Sequence, residues 1–405
     1  MKQPSKVMIP FADKIQNIKL VRGGNSTFAK DTVSFSKNKD GLLQEEGVNI
    51  PRRYYRGGYV SYMSETDSTN YYKYSSEFGK STHIKSGTVI VTEDEEIAPN
   101  GKLESDKLMP LTEASSSRFI QQNISSLPIG ELTFSVYVKF KGERQVRLVY
   151  ARQSSPYTVY GEAVFDLIDG TILSNATGEA RIEDSGNGWY RISVTGTTTV
   201  STNLFRISLG DTSPEEGSVE NGILLWGGQV EESHSPTSHI ATSSASASRG
   251  NDEFSIGMSE DDITHFTVYY NLNLDDVGDE SSRFTLTDGT SSNNVQVRSQ
   301  PNGTSIRIIV QMDGELFSDY VDVGNYDNDI KIAFSFSDNI MNISLNGEIA
   351  SSNTFTNISF GGFTKIINAG NSVTDDSTRF SGLINEVMYF PMTLSDAEIN
   401  YITKN

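Results

Sequence analysis

The chain has 405 residues, 36% hydrophobic and 10% aromatic, enough apolar sequence for two or three cores, which excludes both a disordered chain and a single small domain. It has no cysteine, so disulfides and thiolate metal sites are excluded. The net charge of -19 is unevenly spread: basic residues outnumber acidic ones 11 to 5 over residues 1–60, but the balance is 15 to 24 over 61–250 and 7 to 23 over 251–405. A tail this acidic repels phosphate, which argues against nucleic acid as a partner. No run approaches the roughly 18 apolar residues of a membrane span, and the first residues, Met1-Lys2-Gln3-Pro4, lack the apolar stretch of a signal peptide. The expectation is a protein made in a bacterial cytoplasm, with no membrane insertion.

In chain order, residues 1–64 contain few periodic segments and a basic, aromatic cluster: Arg52, Arg53 and Arg56 among Tyr54, Tyr55, Tyr59 and Tyr62. Segments of that kind order against a partner, so 1–64 is assigned to attachment, with Arg52, Arg53, Tyr54, Tyr55 and Arg56 as the expected contact residues. From about residue 130 onward, short runs alternate apolar and polar residues. Leu132-Thr133-Phe134-Ser135-Val136-Tyr137-Val138 and Tyr190-Arg191-Ile192-Ser193-Val194 are examples, and similar runs follow at 266–272, 305–310, 330–336 and 340–345. The period of two predicts half-buried strands. Asp169-Gly170, Asn187-Gly188, Asp288-Gly289, Asp313-Gly314 and Asn346-Gly347 predict the turns between them. Many short strands at this spacing predict an all-β chain of sandwiches or barrels.

The stretch 241–248 is too small and polar to bury a face and reads as a connector, which sets a boundary near residue 250. At the end, Ser395-Asp396-Ala397-Glu398 is a capping box followed by Ile399 and Ile402 on one face, predicting a short C-terminal helix. The expected organisation is an irregular segment over 1–64, a jelly-roll sandwich over 65–250 and a lectin-like sandwich over 251–405.

Catalytic chemistry finds little support. The histidines His83, His234, His239 and His265 have no metal-ligand spacing beyond one pair five apart, which reads as two exposed loop residues. No nucleophile-elbow sequence accompanies the serines. Glu93-Asp94-Glu95-Glu96 and Glu215-Glu216 lie beside turn residues and read as solvated acidic loops. A glycosidase pair needs one carboxyl in an apolar pocket, which contiguous loop acids do not supply. The expectation is a protein that is not an enzyme and requires no cofactor.

A succession of blocks carries a resemblance. It includes Val33-Ser-Phe-Ser36, Asp40-Gly-Leu42, Asn49-Ile-Pro-Arg-Arg-Tyr54, Tyr74-Ser-Ser-Glu-Phe78, Ala98-Pro-Asn-Gly101 and Asp106-Lys-Leu108. It continues through Phe165-Asp-Leu-Ile-Asp-Gly170, Gly186-Asn-Gly-Trp-Tyr-Arg191, Leu225-Trp-Gly-Gly-Gln-Val-Glu231 and Pro236-Thr-Ser-His-Ile-Ala-Thr242. Residues 31–252 thereby resemble a module of tailed-bacteriophage tail-fibre and other virion proteins, whose fold is a carbohydrate-binding-module-like jelly roll. His239 departs from that pattern, which usually has an aromatic residue there. Residues 253–405, with Asn342-Ile-Ser-Leu-Asn-Gly347 and Phe380-Ser-Gly-Leu-Ile-Asn-Glu-Val-Met-Tyr389, resemble a concanavalin-A-like or laminin-G-like sandwich.

The resemblance implies a virion appendage, a tail or capsid-surface fibre, with other virion proteins and a host surface glycan as partners and an assembly of several copies. A capsid decoration protein without sugar binding is the alternative, and a polysaccharide depolymerase the third reading. Sandwiches of these types hold a structural calcium in some members. Asp275, Asp276 and Asp279, or Asp327 and Asp329, offer oxygen ligands here, against the plainer reading of acidic turns. Sugar binding rests on exposed aromatic platforms. Trp189 and Trp226 sit among alternating apolar neighbours and read as core, so Tyr150, Tyr157 and Tyr160, around Ser154-Ser-Pro156, are the expected glycan-binding residues.

Overall fold

Alternation commits a segment to a sheet face, because successive side chains of an extended strand point to opposite sides. In the computed structural model the alternating runs form antiparallel sheets, and the chain is all-β apart from one short helix, Asp396–Lys404, as the sequence predicts. The structure describes residues 26–30, 32–56, 59–111, 117–210, 220–257, 265–274, 282–287, 290, 292–300, 304–312, 315–324, 329–337, 339–354, 365–368, 382–390 and 392–404. The chain divides into two units: residues 34–45 with 68–249, and residues 1–33, 46–67 and 250–405.

The first unit is a jelly-roll-like sandwich of two six-stranded sheets. One sheet runs in the order Thr171–Thr177, Val159–Asp166, Gln145–Arg152, Asn203–Leu209, Phe119–Ile124 and Ile84–Lys85. The other runs Glu179–Gly186, Trp189–Thr198, Gly130–Lys141, Gly222–Glu231, Leu103–Pro110 and Val89–Ile97. Between them lies a core that includes Phe134, Val136 and Val138 from one sheet and Val146, Leu148 and Tyr150 from the other. Burying such side chains contributes roughly 1.5–3 kcal/mol apiece.

The second unit is also a sandwich, of two seven-stranded sheets. Phe266, Val268 and Tyr270 of strand His265–Leu274 meet Val295 and Val297 of Asn294–Ser299 and Ile306, Ile308 and Val310 of Ser305–Met312 in its core. The opposite face of His265–Leu274 presents Tyr269, which with Ala333 and Met388 is covered by the C-terminal helix through Ile399. At the head of that helix Glu398 accepts hydrogen bonds from the backbone amide and hydroxyl of Ser395, at 2.8 and 2.7 Å.

The structure divides the chain differently from the expected boundary at residue 64. Strands Arg52–Arg56 and Tyr59–Ser64 are the last two of a C-terminal sheet, with Ser64, Met63 and Tyr62 opposite Gly382, Leu383 and Ile384. Ser26–Ala29 pairs with Glu253–Gly257 in the other sheet. In sequence, the arginines of the strand Arg52–Arg56 obscure its strand character. Arg52 is fully buried and bridges the carboxylates of Glu65 and Asp252. Those two acids bracket the excursion from 68 to 249, and Asp252 also accepts the amide of Glu65 at 2.9 Å. The shorter excursion, 34–45, is closed by reciprocal bonds between Lys30 and Asn49, the Lys30 amide to Asn49 Oδ1 at 3.1 Å and the Asn49 amide to the Lys30 carbonyl at 3.0 Å.

Candidate binding groove on the jelly roll

The site is built around a bulge. Strand Gly222–Glu231 pairs with Gly130–Lys141 up to Trp226, opposite Tyr137, and resumes at Gln229, opposite Ser135. Gly227 and Gly228 therefore stand where the partner strand offers one residue, the count that defines a β-bulge. Gly227 has φ +64°, and a Cβ there would lie 2.9 Å from the Tyr137 ring and 3.3 Å from His239 Nδ1. A Cβ on Gly228 would lie 2.6 Å from the Tyr72 ring. Glycine at both positions makes room for His239 and for Tyr72.

Buried polar side chains lock this arrangement. Asn70 Oδ1 accepts the amides of Tyr72 and Val230 at 2.9 and 3.0 Å, and its Nδ2 donates to the carbonyls of Gly228 and Ile240 at 3.1 and 2.8 Å. That uses the full capacity of an asparagine amide. Glu231 accepts from the Thr237 amide and hydroxyl, the Ser68 hydroxyl and Gln229 Nε2, at 2.6–2.9 Å, and so pins the loop that carries His239. The sequence blocks Leu225–Glu231 and Pro236–Thr242 are thus two halves of one hydrogen-bonded structure.

Tyr137, Trp189, Leu224 and Trp226 form a second, smaller cluster apart from the inter-sheet core. The hairpin Ser34–Lys37 and Leu43–Glu46 covers it, with Leu43 packed against the cluster and Phe35 edge-on to Trp226 at 6.4 Å. His239 takes a place in this aromatic group, 4.4 Å from Trp226 and 5.4 Å from Phe35 between ring centroids. Beside the hairpin a groove of about 500 Å³ remains, within the size range of small-ligand sites. Phe35, Ser75, Asn100, Trp226, His239 and Thr242 line it, together with a set of charged residues. A second depression of about 210 Å³ shares Phe35, Glu45, Asn100 and Lys102 with it.

The charged lining is mostly acidic. Asp106 accepts the amide of Phe78 at 2.6 Å and that of Asp94 at 3.1 Å, so it ties two walls of the groove together. Burial, reinforced by the nearby charges of Glu93 and Asp94, pushes its carboxyl up to about 6. Glu104 accepts from Trp226 Nε1 at 2.9 Å and from Asn100 Nδ2 at 2.5 Å. Glu77 pairs with Lys80 at 2.7 Å. The Glu93 carboxyl lies so close over Gly79 that a Cβ there would come within 2.2 Å of Oε1. Burial, with the Arg191 charge beside it, holds the His239 imidazole down to about 3. Neither of its ring nitrogens has a hydrogen-bond partner among the described residues.

The residues expected from sequence lie mainly elsewhere. Tyr150 is fully buried and stacks on Phe205 at 4.9 Å, because it shares the inward register of Val146 and Leu148 and cannot serve as a platform. Tyr160 packs half-buried against Tyr150, while Tyr157 is 55% exposed. Arg52 is committed to its buried carboxylates, and Arg53, Tyr54 and Tyr55 are half-buried along the same strand as Arg56, so this cluster is part of a sheet rather than a free arm. Asp275, Asp276, Asp279 and Asp327 lie outside the described residues, as do Glu215 and Glu216. Asp329 accepts a hydrogen bond from Asn385. Among the described residues no three His, Asp or Glu side chains are grouped to hold a metal ion. His239, expected on an exposed loop, is 1% exposed, and His234 lies between Glu131 and Glu179 at 3.1 and 3.5 Å. Trp189 and Trp226 are core residues, as read.

Phe35, Glu104, Asp106 and His239 were not singled out as site residues from the sequence. Their signal is that Phe35, Asp106 and His239 each fall within a quoted block of the jelly-roll pattern, at positions where a buried carboxylate or a ring has no local reason to be.

Residues 244–400 match the model of the concanavalin A-like lectin/glucanases superfamily. The C-terminal unit is a lectin-like β-sandwich. The match lies outside the groove, whose lining falls within 35–242. No curated protein matches the chain. Among solved structures, the chain is similar to the CBM40 of the Ruminococcus gnavus IT-sialidase bound to α2,3-sialyllactose, with 15% identity over 35% of this chain and 84% of that one and a TM-score of 0.32. Domain 4 of AbnA, an extracellular arabinanase from Geobacillus stearothermophilus in complex with arabinotriose, gives 14% identity, 42% and 82% coverage and a TM-score of 0.31. A heptameric SAP-like pentraxin from Limulus polyphemus gives 12%, 35% and 70%, and 0.29.

Proposed function

We propose that the chain is a non-enzymatic, glycan-binding piece of a bacteriophage particle, in a tail or capsid-surface fibre, and that its jelly-roll groove holds a short saccharide. The observation that carries the binding reading is the groove itself: a concave site with an aromatic side chain on its wall and amide, hydroxyl and carboxylate groups around it. Sugars are recognised by that combination, their C–H faces against rings and their hydroxyls in directed hydrogen bonds. The adjoining depression extends the space for a second sugar unit. The ordered motif blocks of 31–252 support the placement on a phage particle. Association of several copies would raise a weak single-site affinity to useful avidity.

A glycan array probed with the full chain, followed by calorimetry on the best ligand, tests the binding reading. Phe35→Ala is expected to weaken that binding about tenfold, about 1.4 kcal/mol, with the fold retained by circular dichroism. An array without a hit, or a hit whose affinity ignores Phe35, would contradict it. Antibody labelling of purified particles by electron microscopy tests the placement.

Polysaccharide cleavage is a second reading with one observation in its favour, the Asp106 carboxyl pushed up to about 6 by burial. Both its oxygens already accept backbone amides, which suits a residue that positions walls better than one that delivers a proton. Loss of polymer length on incubation with capsular polysaccharide, abolished by Asp106→Asn, would favour the enzyme instead.

A further inference from the structure

The groove is more selective in charge than a general sugar site needs to be. Six carboxylates line it, those of Glu45, Glu77, Glu93, Asp94, Glu104 and Asp106, against the two ammonium groups of Lys80 and Lys102. Lys80 is already engaged by Glu77. Among the described residues, Glu45, Glu93, Asp94, Glu104 and Asp106 form no salt bridge, and although Lys85 acts on Glu93 and Asp106 and Arg191 on His239, the carboxylates still outnumber the cations around the groove. We infer that the groove selects a saccharide bearing a protonated amine, such as an unacetylated hexosamine unit, over neutral and acidic sugars. This rests on the saccharide reading of the same groove.

Charge alone would not make a site, and His239 supplies the independent observation. Its ring is 1% exposed, lines the groove, and leaves both nitrogens without a partner among the described residues. A buried polar group left unpaired costs roughly 1–3 kcal/mol, and one facing a cavity is relieved by a hydroxyl or amine placed there. A neutral imidazole offers one acceptor and one donor, which suits a ligand rich in hydroxyl and amine groups. The carboxylates offer what an ammonium group uses. The three N–H donors of an amine can be shared among separate acceptors, whereas a bound divalent ion needs grouped ligands at short distance. No such group is present among the described residues, and Asp106 and Glu104 Oε1 already accept N–H donors. The upward shift of the Asp106 carboxyl agrees with a net negative field in the groove, since Glu93 and Asp94 add to the effect of burial. The same field repels uronic or sialic carboxylates.

The test uses the full chain and three tetrasaccharide probes at pH 6 and low salt: the glucosamine tetramer, its fully N-acetylated counterpart and a galacturonic acid tetramer, each titrated by calorimetry. An ion pair at the surface adds about fivefold in affinity in the dielectric of water. Two such pairs multiply, so the glucosamine tetramer is expected to bind at least tenfold tighter than the acetylated one, and the acidic tetramer not at all. Glu93→Gln combined with Asp94→Asn should cut that preference to about threefold or less, and asparagine tolerates the φ of +56° at residue 94. Glu232→Gln with Glu348→Gln, two exposed acids that are not in the groove lining, changes the net charge equally and should leave the preference intact. Equal binding of the amine and acetylated probes, preference for the acidic one, no binding of the glucosamine tetramer by folded protein, or a preference that survives the groove substitutions would each overturn the inference. The glycan array judges the saccharide reading separately: a neutral hit there with no gain from the amine removes only the charge selectivity.

Discussion

The two sandwiches bury a second, outer cluster by different means. In the C-terminal unit a regular helix lies over Tyr269, Ala333 and Met388 and closes the cluster with Ile399, next to Leu394 just before the helix. In the jelly roll a short hairpin lies over Trp189, Leu224 and Trp226, with Leu43 as its apolar contact and Phe35 at its edge. A helix presents a continuous apolar stripe and seals what it covers. A four-residue strand pair covers less, and the groove opens beside it with Phe35 of the pair and Trp226 of the cluster in its lining. The cover of one unit is thus a stability element, and the cover of the other doubles as a wall of the groove proposed to bind saccharide.

That contrast can be broken by substitution. The largest effect is expected at Arg52, whose buried ion pairs with Glu65 and Asp252 lie within the C-terminal unit. Arg52→Ala leaves Glu65 and Asp252 buried without their cation, at a cost of about 3–5 kcal/mol, read as a lowered denaturation midpoint for that unit with saccharide affinity per folded molecule unchanged. Ile399→Ala should cost about 2–5 kcal/mol by opening a cavity under the helix, measured the same way. If it also weakened saccharide binding, the division of roles would be wrong.

The jelly roll should be the acid-sensitive unit. His83 and His239 are each held down to about 3 by burial, below the 6.5 of an exposed imidazole. Unfolding at pH below 6.5 takes up protons, so the stability they allow is full above 6.5 and is lost as pH falls toward 3. At pH 5 the loss is about 2 kcal/mol for each. His239→Phe keeps a ring beside Trp226 and should remove one share of this slope in a pH series of thermal melts. An unchanged slope would show that the imidazole is not buried neutral. The smallest effect is expected from Glu398→Ala, which takes away the cap on the Ser395 amide and should cost about 0.5–1 kcal/mol, detectable as a small shift in the C-terminal unit alone.

Local patterns made the fold readable and distant ones hid the site. The period of two in 132–138 and 190–194, the glycine turns and the capping box at 395–398 are all decided by near neighbours. The N-terminal strands were harder to see. Arg52 looks like a surface residue until Glu65 and Asp252 are brought to it across 13 and 200 positions. Tyr150 looked exposed because Ser154 and Pro156 follow it, yet its place in the register of Gln145–Arg152 turns it inward onto Phe205. The groove joins Phe35, Glu93, Asp106, Trp226 and His239, and none of those pairings has a short-range signature. The acids 93–96 read as a solvated loop, but they belong to strand Val89–Ile97, where Glu96 pairs with Lys139 and Lys141 while Glu93 and Asp94 line the groove.

The most direct test is a crystal structure of the full chain with the best oligosaccharide from the array. The account predicts ligand density between the 34–45 hairpin and the bulge at Gly227-Gly228, in contact with Phe35 and within hydrogen-bonding reach of the groove carboxylates. Density against Tyr157, or on the sandwich of residues 244–400 with the groove left empty, would contradict it.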